Sequence, residues 1–222
     1  MSNYDLYVAV VAHTKRERLA ASLDEKVQAD AVFMDDGTLG EWRNHELAWK
    51  SAVASGKTHA VILQDDALPV NNFRDLVIEA VEQKPYNLIS LYVGTHRPRR
   101  DEVLKTVQQA EKMKASWLVA DTLMWGVGVV VPTALIPEIL STIEKSKVAY
   151  DQRIGRWAEL TKNNVYYTWP SLVGHADEPT VVKGRGKTQG QRVAHRTGTP
   201  VWGGATLWIP RPNDWIFESN KT

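Results

Sequence analysis

Apolar residues in this chain form short continuous runs that alternate with amphipathic stretches. Leu6 to Ala12 and Ala60 to Leu63 are unbroken apolar runs, which are typical of parallel strands covered on both faces. Ala31 to Met34 predicts a third buried strand, and Leu88 to Tyr92 predicts a fourth. Further strands are predicted at residues 117–120, 127–131 and 165–169.

The stretches between these runs have helical periodicity. Thr14 to Glu17 has the Thr-x-x-Glu form of a capping box, which predicts the start of a helix. Other helices are predicted at residues 42–55, 73–81, 136–143 and 150–160. Because strands and helices alternate, the pattern predicts an α/β fold whose mainly parallel central sheet has helices on both faces.

Acidic side chains follow two of the predicted strands at the point where each strand ends. Gln64, Asp65 and Asp66 come directly after one apolar run, and Asp35 with Asp36 after another. Open α/β folds bind ligands at this edge of the sheet. A hard divalent cation offsets the repulsion between adjacent carboxylates and leaves positions free for substrate phosphates. The alternative is that these residues begin solvated turns, in which Asp is also favoured.

The first predicted strand runs directly into a helix. Such a junction offers free backbone N–H groups to an anion, and His13 and Arg16 lie at its edge. The alternatives are an ordinary loop position for His13 and a solvated helix face for Arg16.

Composition narrows the class of protein. One domain over residues 1–222 is the simplest arrangement for this length. The 27 Lys and Arg residues nearly balance 26 Asp and Glu, so no overall field indicates a nucleic-acid-binding protein. The absence of cysteine excludes thiolate metal sites. No signal-peptide pattern or membrane-spanning apolar run is present, so we expect a cytoplasmic protein that does not bind membranes.

Two segments of the chain are locally basic. Residues 96–100 belong to a long loop that predicts a lid or binding loop, with a disordered insertion as the alternative. Residues 183–200 form a basic, glycine-rich C-terminal segment that includes Arg185 and Lys187, with a flexible solvated segment as the alternative. The chain also has nine tryptophans, whose flat faces suit sugars and bases as well as a core.

Taken in order, these segments resemble the nucleotide-sugar glycosyltransferases of the A-type fold (GT-A). The residues that carry the resemblance are Asp35-Asp36-Gly37, Arg43-Asn44, Leu63-Gln-Asp-Asp66, and Pro170 to His175 ahead of the basic segment. Leu63-Gln-Asp-Asp66 is similar to the Leu-Glu-Asp-Asp segment of the lipooligosaccharide and collagen galactosyltransferase family, with Gln64 in place of the acid. Small phage-encoded sugar transferases are similar as well. The resemblance implies a single Rossmann-like GT-A domain.

The resemblance also implies a role for each matching position. Asp66 and His175 would hold Mn²⁺ or Mg²⁺, with Asp65 bonded to the ribose or to a metal-bound water. Asp35 would lie near the base or ribose of the donor nucleotide, and Arg43 near its phosphates. The remaining candidates for donor binding are His13, Arg16, Asp36, Gln64, Arg185 and Lys187.

Three further positions are candidates for catalysis and acceptor binding. Asp151 opens a predicted helix where the similar enzymes carry an acid, so it is the candidate base that accepts the acceptor hydroxyl proton; the alternative is a helix cap. Trp125 and Gly126 predict an acceptor platform, with a core Trp as the alternative. Asp66 is also a catalytic candidate, because the cation that it would hold would stabilise negative charge on the leaving phosphate.

These inferences predict a metal-dependent glycosyltransferase, either a hexosyl- or a pentosyltransferase, with a UDP-sugar as the expected donor. A hydroxymethylated pyrimidine in phage DNA is one candidate acceptor, favoured by the basic segments and the tryptophans. A glycan or protein hydroxyl is the alternative acceptor. A different class is a non-catalytic nucleic-acid-binding module with structural carboxylates. A phage-encoded enzyme would act in the host cytoplasm.

Overall fold

The computed structural model describes residues 3–143, 148–179, 181 and 192–212. Its strands are β1 (Leu6–His13), β2 (Ala31–Asp35), β3 (His59–Gln64), β4 (Ala67–Pro69), β5 (Leu88–Ser90), β6 (Trp117–Ala120), β7 (Gly128–Pro132), β8 (Val165–Thr168), β9 (Val173–His175) and β10 (Thr206–Trp208). Its helices are α1 (Glu17–Val27), α2 (Glu41–Ala54), α3 (Phe73–Gln83), α4 (Arg100–Met113), α5 (Ile136–Ile143) and α6 (Tyr150–Thr161).

An eight-stranded sheet with the order β10-β6-β8-β5-β7-β3-β1-β2 forms the centre of the molecule. β1 is parallel to both β2 and β3, and β5 is parallel to β8. β7 lies between β3 and β5 and is antiparallel to both. The fold is therefore α/β with a mainly parallel, Rossmann-like sheet flanked by helices, as the alternation of strands and helices predicted.

The apolar runs in the sequence form the middle of this sheet. Every residue of β3 from His59 to Leu63 is buried, as is every residue of β1 from Leu6 to Ala12. Helix α2 packs on β1, β2 and β3, and its Trp49 is buried, with its ring edge-on to that of Tyr150 in α6. Burial on both faces explains the lack of polar alternation in these runs.

The strand predicted at Ala31 to Met34 is present, but it is not buried. β2 is the last strand of the sheet, and its residues alternate between half-buried and exposed positions. Val32 and Met34 are each 37% exposed. The apolar side chains alone did not distinguish an edge strand, which has a neighbouring strand on one side only, from a central one.

The predicted capping box does not form. Thr14 to Arg16 make a short 3₁₀ turn, and α1 begins at Glu17 with Arg16 at the N-cap position. No side-chain hydrogen bond caps this helix. The side chain of Arg16 points instead toward carboxylates at the end of β3, so a long-range ion pair replaces the local capping interaction.

A second, two-stranded sheet lies beyond the end of β3. β4 pairs with β9 in antiparallel fashion, with Ala67 opposite His175 and Pro69 opposite Val173. Neither of these two strands was predicted from the sequence. Among the described residues, no helix is long and apolar enough to cross a membrane.

Candidate active site

The small β4-β9 sheet brings Asp66 and His175 together. Ala67 lies opposite His175 in the strand pairing, and the backbone N–H of Ala176 donates to the carbonyl of Asp66 at 2.9 Å. As a result, Nε2 of His175 lies 3.6 Å from Oδ2 of Asp66. Two residues that are far apart in the sequence therefore meet through regular strand pairing.

Arg16 lies between the two adjacent carboxylates. Its Nη1 atom is 2.7 Å from Oδ1 of Asp65 and 2.6 Å from Oδ2 of Asp66. The three side chains are 11%, 7% and 5% exposed, respectively. Arg16 thus offsets the repulsion between Asp65 and Asp66, a role that the sequence analysis gave to a metal ion.

Asp65 also fills the anion site that was predicted at the strand-to-helix junction. The backbone N–H of His13 donates to Oδ2 of Asp65 at 3.0 Å, and the N–H of Lys15 donates to Nδ1 of His13 at 3.1 Å. Burial raises the pKa of the Asp65 carboxyl, although the His13 N–H and Arg16 both act to lower it. The free N–H groups expected here for a ligand are used by the protein itself.

Asp66 retains one oxygen that is not satisfied. Oδ1 of Asp66 is buried and has no hydrogen-bond partner among the described residues. A buried carboxylate oxygen without a partner is costly. This oxygen is the clearest vacant ligand position in the site.

The orientation of the His175 ring limits its predicted role as a metal ligand. The backbone N–H of Asp177 donates to Nδ1 at 2.8 Å, and burial lowers the ring's pKa despite the nearby Asp66. A neutral ring that accepts at Nδ1 carries its hydrogen on Nε2, the atom that faces Asp66. Ligation through Nε2 would move the ring hydrogen to Nδ1, and the hydrogen bond from the Asp177 N–H to Nδ1 would then have to break.

Asp35 and Asp36 organise the loop that leads into α2. Oδ1 and Oδ2 of Asp35 accept the backbone N–H groups of Leu39 and Gly40 at 3.1 and 3.0 Å. Asp36 is exposed, and its pKa is lowered by hydrogen bonding to the Thr38 side chain and to the Thr38 backbone N–H, which donates at 3.0 Å. Both residues adjoin the candidate donor site, but they also have structural roles there.

A cavity of about 360 Å³ lies at the carboxyl ends of β1, β2 and β3. With the histidines neutral, its described lining includes five carboxylates and three cationic side chains, a surplus of negative charge. The charged side chains are Asp35, Asp36, Glu41, Asp65, Asp66, Lys15, Arg16 and Arg192. We call this the donor cavity, because most of the predicted donor-binding residues line it.

A second cavity of about 730 Å³, the acceptor cavity, contains Trp125, Gly126 and Asp151 in its lining. Nε1 of Trp125 donates to the carbonyl of Arg97 at 2.8 Å, which ties the basic loop to the cavity wall. Asp151 lies in the first turn of α6, and its Oδ1 accepts the N–H of Gln152. The three predicted acceptor and base positions therefore share one cavity.

The protein itself occupies the space that a side chain at position 126 would need. A Cβ atom at this position would lie 2.7 Å from the Tyr150 ring and 3.4 Å from Cβ of Asp151. Gly126 lets the loop approach the start of α6, so it positions Asp151. Gly126 itself lines the acceptor cavity, so its part in an acceptor platform stays a prediction.

The donor and acceptor cavities adjoin at the tip of β3. Four residues line both of them: Glu41, Gln64, His175 and Arg192. The described residues form no hydrogen bond with the Gln64 side-chain amide, which is half-buried. A group that passes from one cavity to the other would contact this junction.

Several predicted donor-binding residues do not join the site. Arg43 is 68% exposed, pairs with Glu46 at 2.7 Å and lines neither cavity. α2 turns this side chain outward, one helical turn away from Glu46. Arg185 and Lys187 lie outside the described residues. Within the basic segment, Arg192 reaches both cavities, whereas Arg196 pairs with Glu111 at 2.8 Å.

Sequence reasoning missed two acidic residues of the site. Glu159 lines the acceptor cavity, and burial raises the pKa of its carboxyl. Glu41, in the first turn of α2, lines both cavities. The only sequence signal for Glu159 was its place on the same predicted helix as Asp151.

The site fits a cation that arrives with phosphates better than a cation held by protein alone. Among the described residues, no group of three or more His, Cys, Asp or Glu side chains could hold a metal ion. Mg²⁺ in nucleotide sites is typically held by one or two carboxylates plus substrate phosphates. The vacant oxygen of Asp66 and the surplus of carboxylates suit that arrangement, provided that Arg16 moves.

No protein-family model and no curated protein matches this sequence. Among solved structures, A197 from STIV is similar with a TM-score of 0.46 and 10% sequence identity, over 76% of this chain and 84% of that chain. Mannose-1-phosphate geranyltransferase from Thermus thermophilus is similar with a TM-score of 0.44 and 11% identity, over 73% of each chain. Likenesses this low carry no argument about function.

Proposed function

We propose that this chain is a glycosyltransferase that moves a sugar from a nucleotide diphosphate, expected to be UDP, to an acceptor hydroxyl. One observation carries the proposal: the two cavities adjoin at Gln64 and His175. One cavity contains the acidic pair with Arg16, and the other contains Asp151 and Trp125. A transferase needs such an arrangement, because donor and acceptor must meet at one point.

Charge supports a donor that enters with Mn²⁺ or Mg²⁺. A bare diphosphate is repelled by a cavity in which carboxylates outnumber cationic side chains. Asp66 would contribute its vacant Oδ1 to the cation, and His175 would orient the Asp66 carboxylate. When bound, the cation supplies a Lewis acid that stabilises negative charge on the leaving phosphate. Arg192 would provide a further positive charge beside the phosphates.

In the transfer step, Asp151 would accept the proton of the acceptor hydroxyl as its oxygen bonds to the anomeric carbon of the sugar. The bond from that carbon to the diphosphate breaks, and the nucleoside diphosphate departs with the bonding electrons. This assignment belongs to a transfer that inverts the anomeric configuration. A retaining enzyme has no need of this base.

Three arginines of the acceptor cavity would contact an acceptor phosphate, and the carboxylates of Glu41, Asp151 and Glu159 balance their charge. Arg97, Arg156 and Arg192 line it together with Trp125. These residue types suit a phosphate backbone and a stacked base, which is why a hydroxymethylated pyrimidine in DNA is our preferred acceptor. A glycan or protein hydroxyl is the alternative. Binding of hydroxymethylated duplex DNA that weakens steeply with salt supports DNA, and salt-independent or absent binding opposes it.

A thermal-shift screen of nucleotide sugars, each with and without Mn²⁺, tests the proposed function. A ligand that binds the native form raises the melting temperature according to its affinity. We expect one nucleotide sugar to stabilise the wild type, and Asp66→Ala to lose this effect. Glu25→Ala is a matched control, because Glu25 is an exposed acid on α1. If no nucleotide sugar binds while nucleic acid does, the chain is instead a non-catalytic binding module.

A further inference from the structure

We propose that Arg16 and a divalent cation compete for the Asp65-Asp66 pair, so that the cation enters the donor cavity only together with a nucleoside diphosphate. This inference rests on the proposed function and adds to it an order of binding. It assigns Arg16 the role of a counter-ion that must be displaced before the donor is fully bound.

The first argument is that one position serves both cations. A single atom, Nη1 of Arg16, is within 2.7 Å of an oxygen from each carboxylate. A cation that bridged the two side chains would need Oδ1 of Asp65, and a cation bound to both oxygens of Asp66 would need Oδ2 as well as the vacant Oδ1. The guanidinium and the bridging cation therefore exclude each other.

The second argument is that little else in the protein would hold the cation in place of Arg16. The described residues contain no cluster of three or more potential ligands. A cation alone would exchange a buried, hydrogen-bonded guanidinium for a site with few protein ligands. Without phosphate oxygens, we expect this exchange to be unfavourable.

The third argument is that a diphosphate offers a new partner to Arg16. Guanidinium groups bind phosphates through two parallel hydrogen bonds, and Arg16 already lines the donor cavity. Its Nη2 atom also donates to the carbonyl of Pro179 at 2.7 Å, so the side chain keeps one anchor if it leaves the carboxylates. Diphosphate binding thus releases the pair to the cation and gives Arg16 an anionic partner in exchange.

The test measures Mn²⁺ binding to the wild-type chain by thermal shift and by electron paramagnetic resonance of free Mn²⁺. Mn²⁺ is added alone and together with each of UDP, GDP, ADP and CDP. We expect Mn²⁺ alone, at about 1 mM, to raise the melting temperature by less than about 1 °C, and by several degrees with the preferred nucleotide. Tight binding of Mn²⁺ alone to the wild type would overturn the proposal.

Arg16→Ala tests whether this side chain is the competitor. We expect Mn²⁺ alone to stabilise Arg16→Ala by several degrees, because both carboxylates are then without a counter-ion. Arg18→Ala is the matched control, since it removes an exposed positive charge from the same helix. A lack of response in a folded Arg16→Ala chain would contradict the proposal. If Arg16→Ala does not fold, the wild-type measurement still decides.

Two failures are distinguishable in this experiment. If a nucleoside diphosphate binds equally well with and without Mn²⁺, the order of binding is wrong, whereas the proposed donor class stands. If none of the four nucleotides binds under any condition, the proposed function itself fails.

Discussion

Nε2 of His175 lies 3.6 Å from Oδ2 of Asp66. The contact depends on the pairing of β4 with β9, which sets Ala67 opposite His175. The N–H of Asp177 holds Nδ1 of the ring at 2.8 Å, so the imidazole has a fixed orientation. We infer that His175 orients Asp66 through this close contact, in the way that neighbouring side chains orient metal ligands.

His175→Ala should weaken binding of the nucleotide and cation about 10- to 100-fold, the usual effect of losing a partner that orients a metal ligand. Isothermal titration of the preferred nucleoside diphosphate in the presence of Mn²⁺ measures this loss. His195→Ala should leave binding unchanged, because His195 lines neither cavity. If the wild type and His175→Ala bind the nucleoside diphosphate with equal affinity, His175 does not contribute to the site.

Asp151→Asn should lower the transfer rate about 10²- to 10⁴-fold, the contribution typical of a general base. The donor should bind with its wild-type affinity, because Asp151 lines the acceptor cavity and not the donor cavity. Turnover with saturating donor, combined with donor titration, separates the two effects.

Glu159→Gln is the informative comparison for Asp151→Asn. Burial raises the pKa of Glu159 in the same cavity, which makes it the rival acid. If Glu159→Gln loses activity while Asp151→Asn retains it, the base is Glu159. If both variants retain activity, the transfer needs no side-chain base, as in a retaining enzyme.

Gly126→Ala should destabilise the fold by about 1–3 kcal/mol, the range for inserting a methyl group into a packed region. The added Cβ would lie 2.7 Å from the Tyr150 ring. Urea denaturation gives the free energy of unfolding. Gly174→Ala is the control, because its Cβ would have no neighbour closer than 3.5 Å. An unchanged stability of Gly126→Ala would show that the start of α6 can shift freely.

Stability should fall as the pH is lowered from about 7 to 5, in part because of His59. Burial lowers the pKa of this ring in the folded state, although its contact with the Pro85 carbonyl acts to raise it. The unfolded chain therefore takes up a proton first as the pH falls below about 6.5, which favours unfolding.

Melting temperatures measured across this pH range test the role of His59. His59→Asn should flatten the dependence, whereas His96→Asn, at a half-buried loop position, should leave it as in the wild type. A profile that is equally steep without His59 would assign the effect to other groups.

The residues alone predicted most of the sheet and the gathering of acidic residues at one of its edges. Continuous apolar runs identified β1 and β3 as buried strands, because burial on both faces leaves no reason for polar alternation. The carboxylates at the ends of β2 and β3 do line one cavity, because the ends of neighbouring parallel strands share one edge of a sheet.

Other features were invisible in the sequence because they depend on long-range pairing. The strands β4 and β9 are each three residues long, too short for a periodic pattern. The sequence pattern placed Arg16 within a local capping box, whereas in the structure its side chain bonds to Asp65 and Asp66. A favourable ion pair in a buried setting outweighed the weaker local signal.

The sequence by itself determined the α/β alternation, the buried strands and the acidic residues at one sheet edge, since these follow from side-chain type and spacing. Only the tertiary structure decided that Arg16 is the present partner of the acidic pair, that His175 reaches Asp66, and that Arg43 points away. The physical reason is that charge pairing acts through space. It depends on distances that are set only when distant segments of the chain pack together.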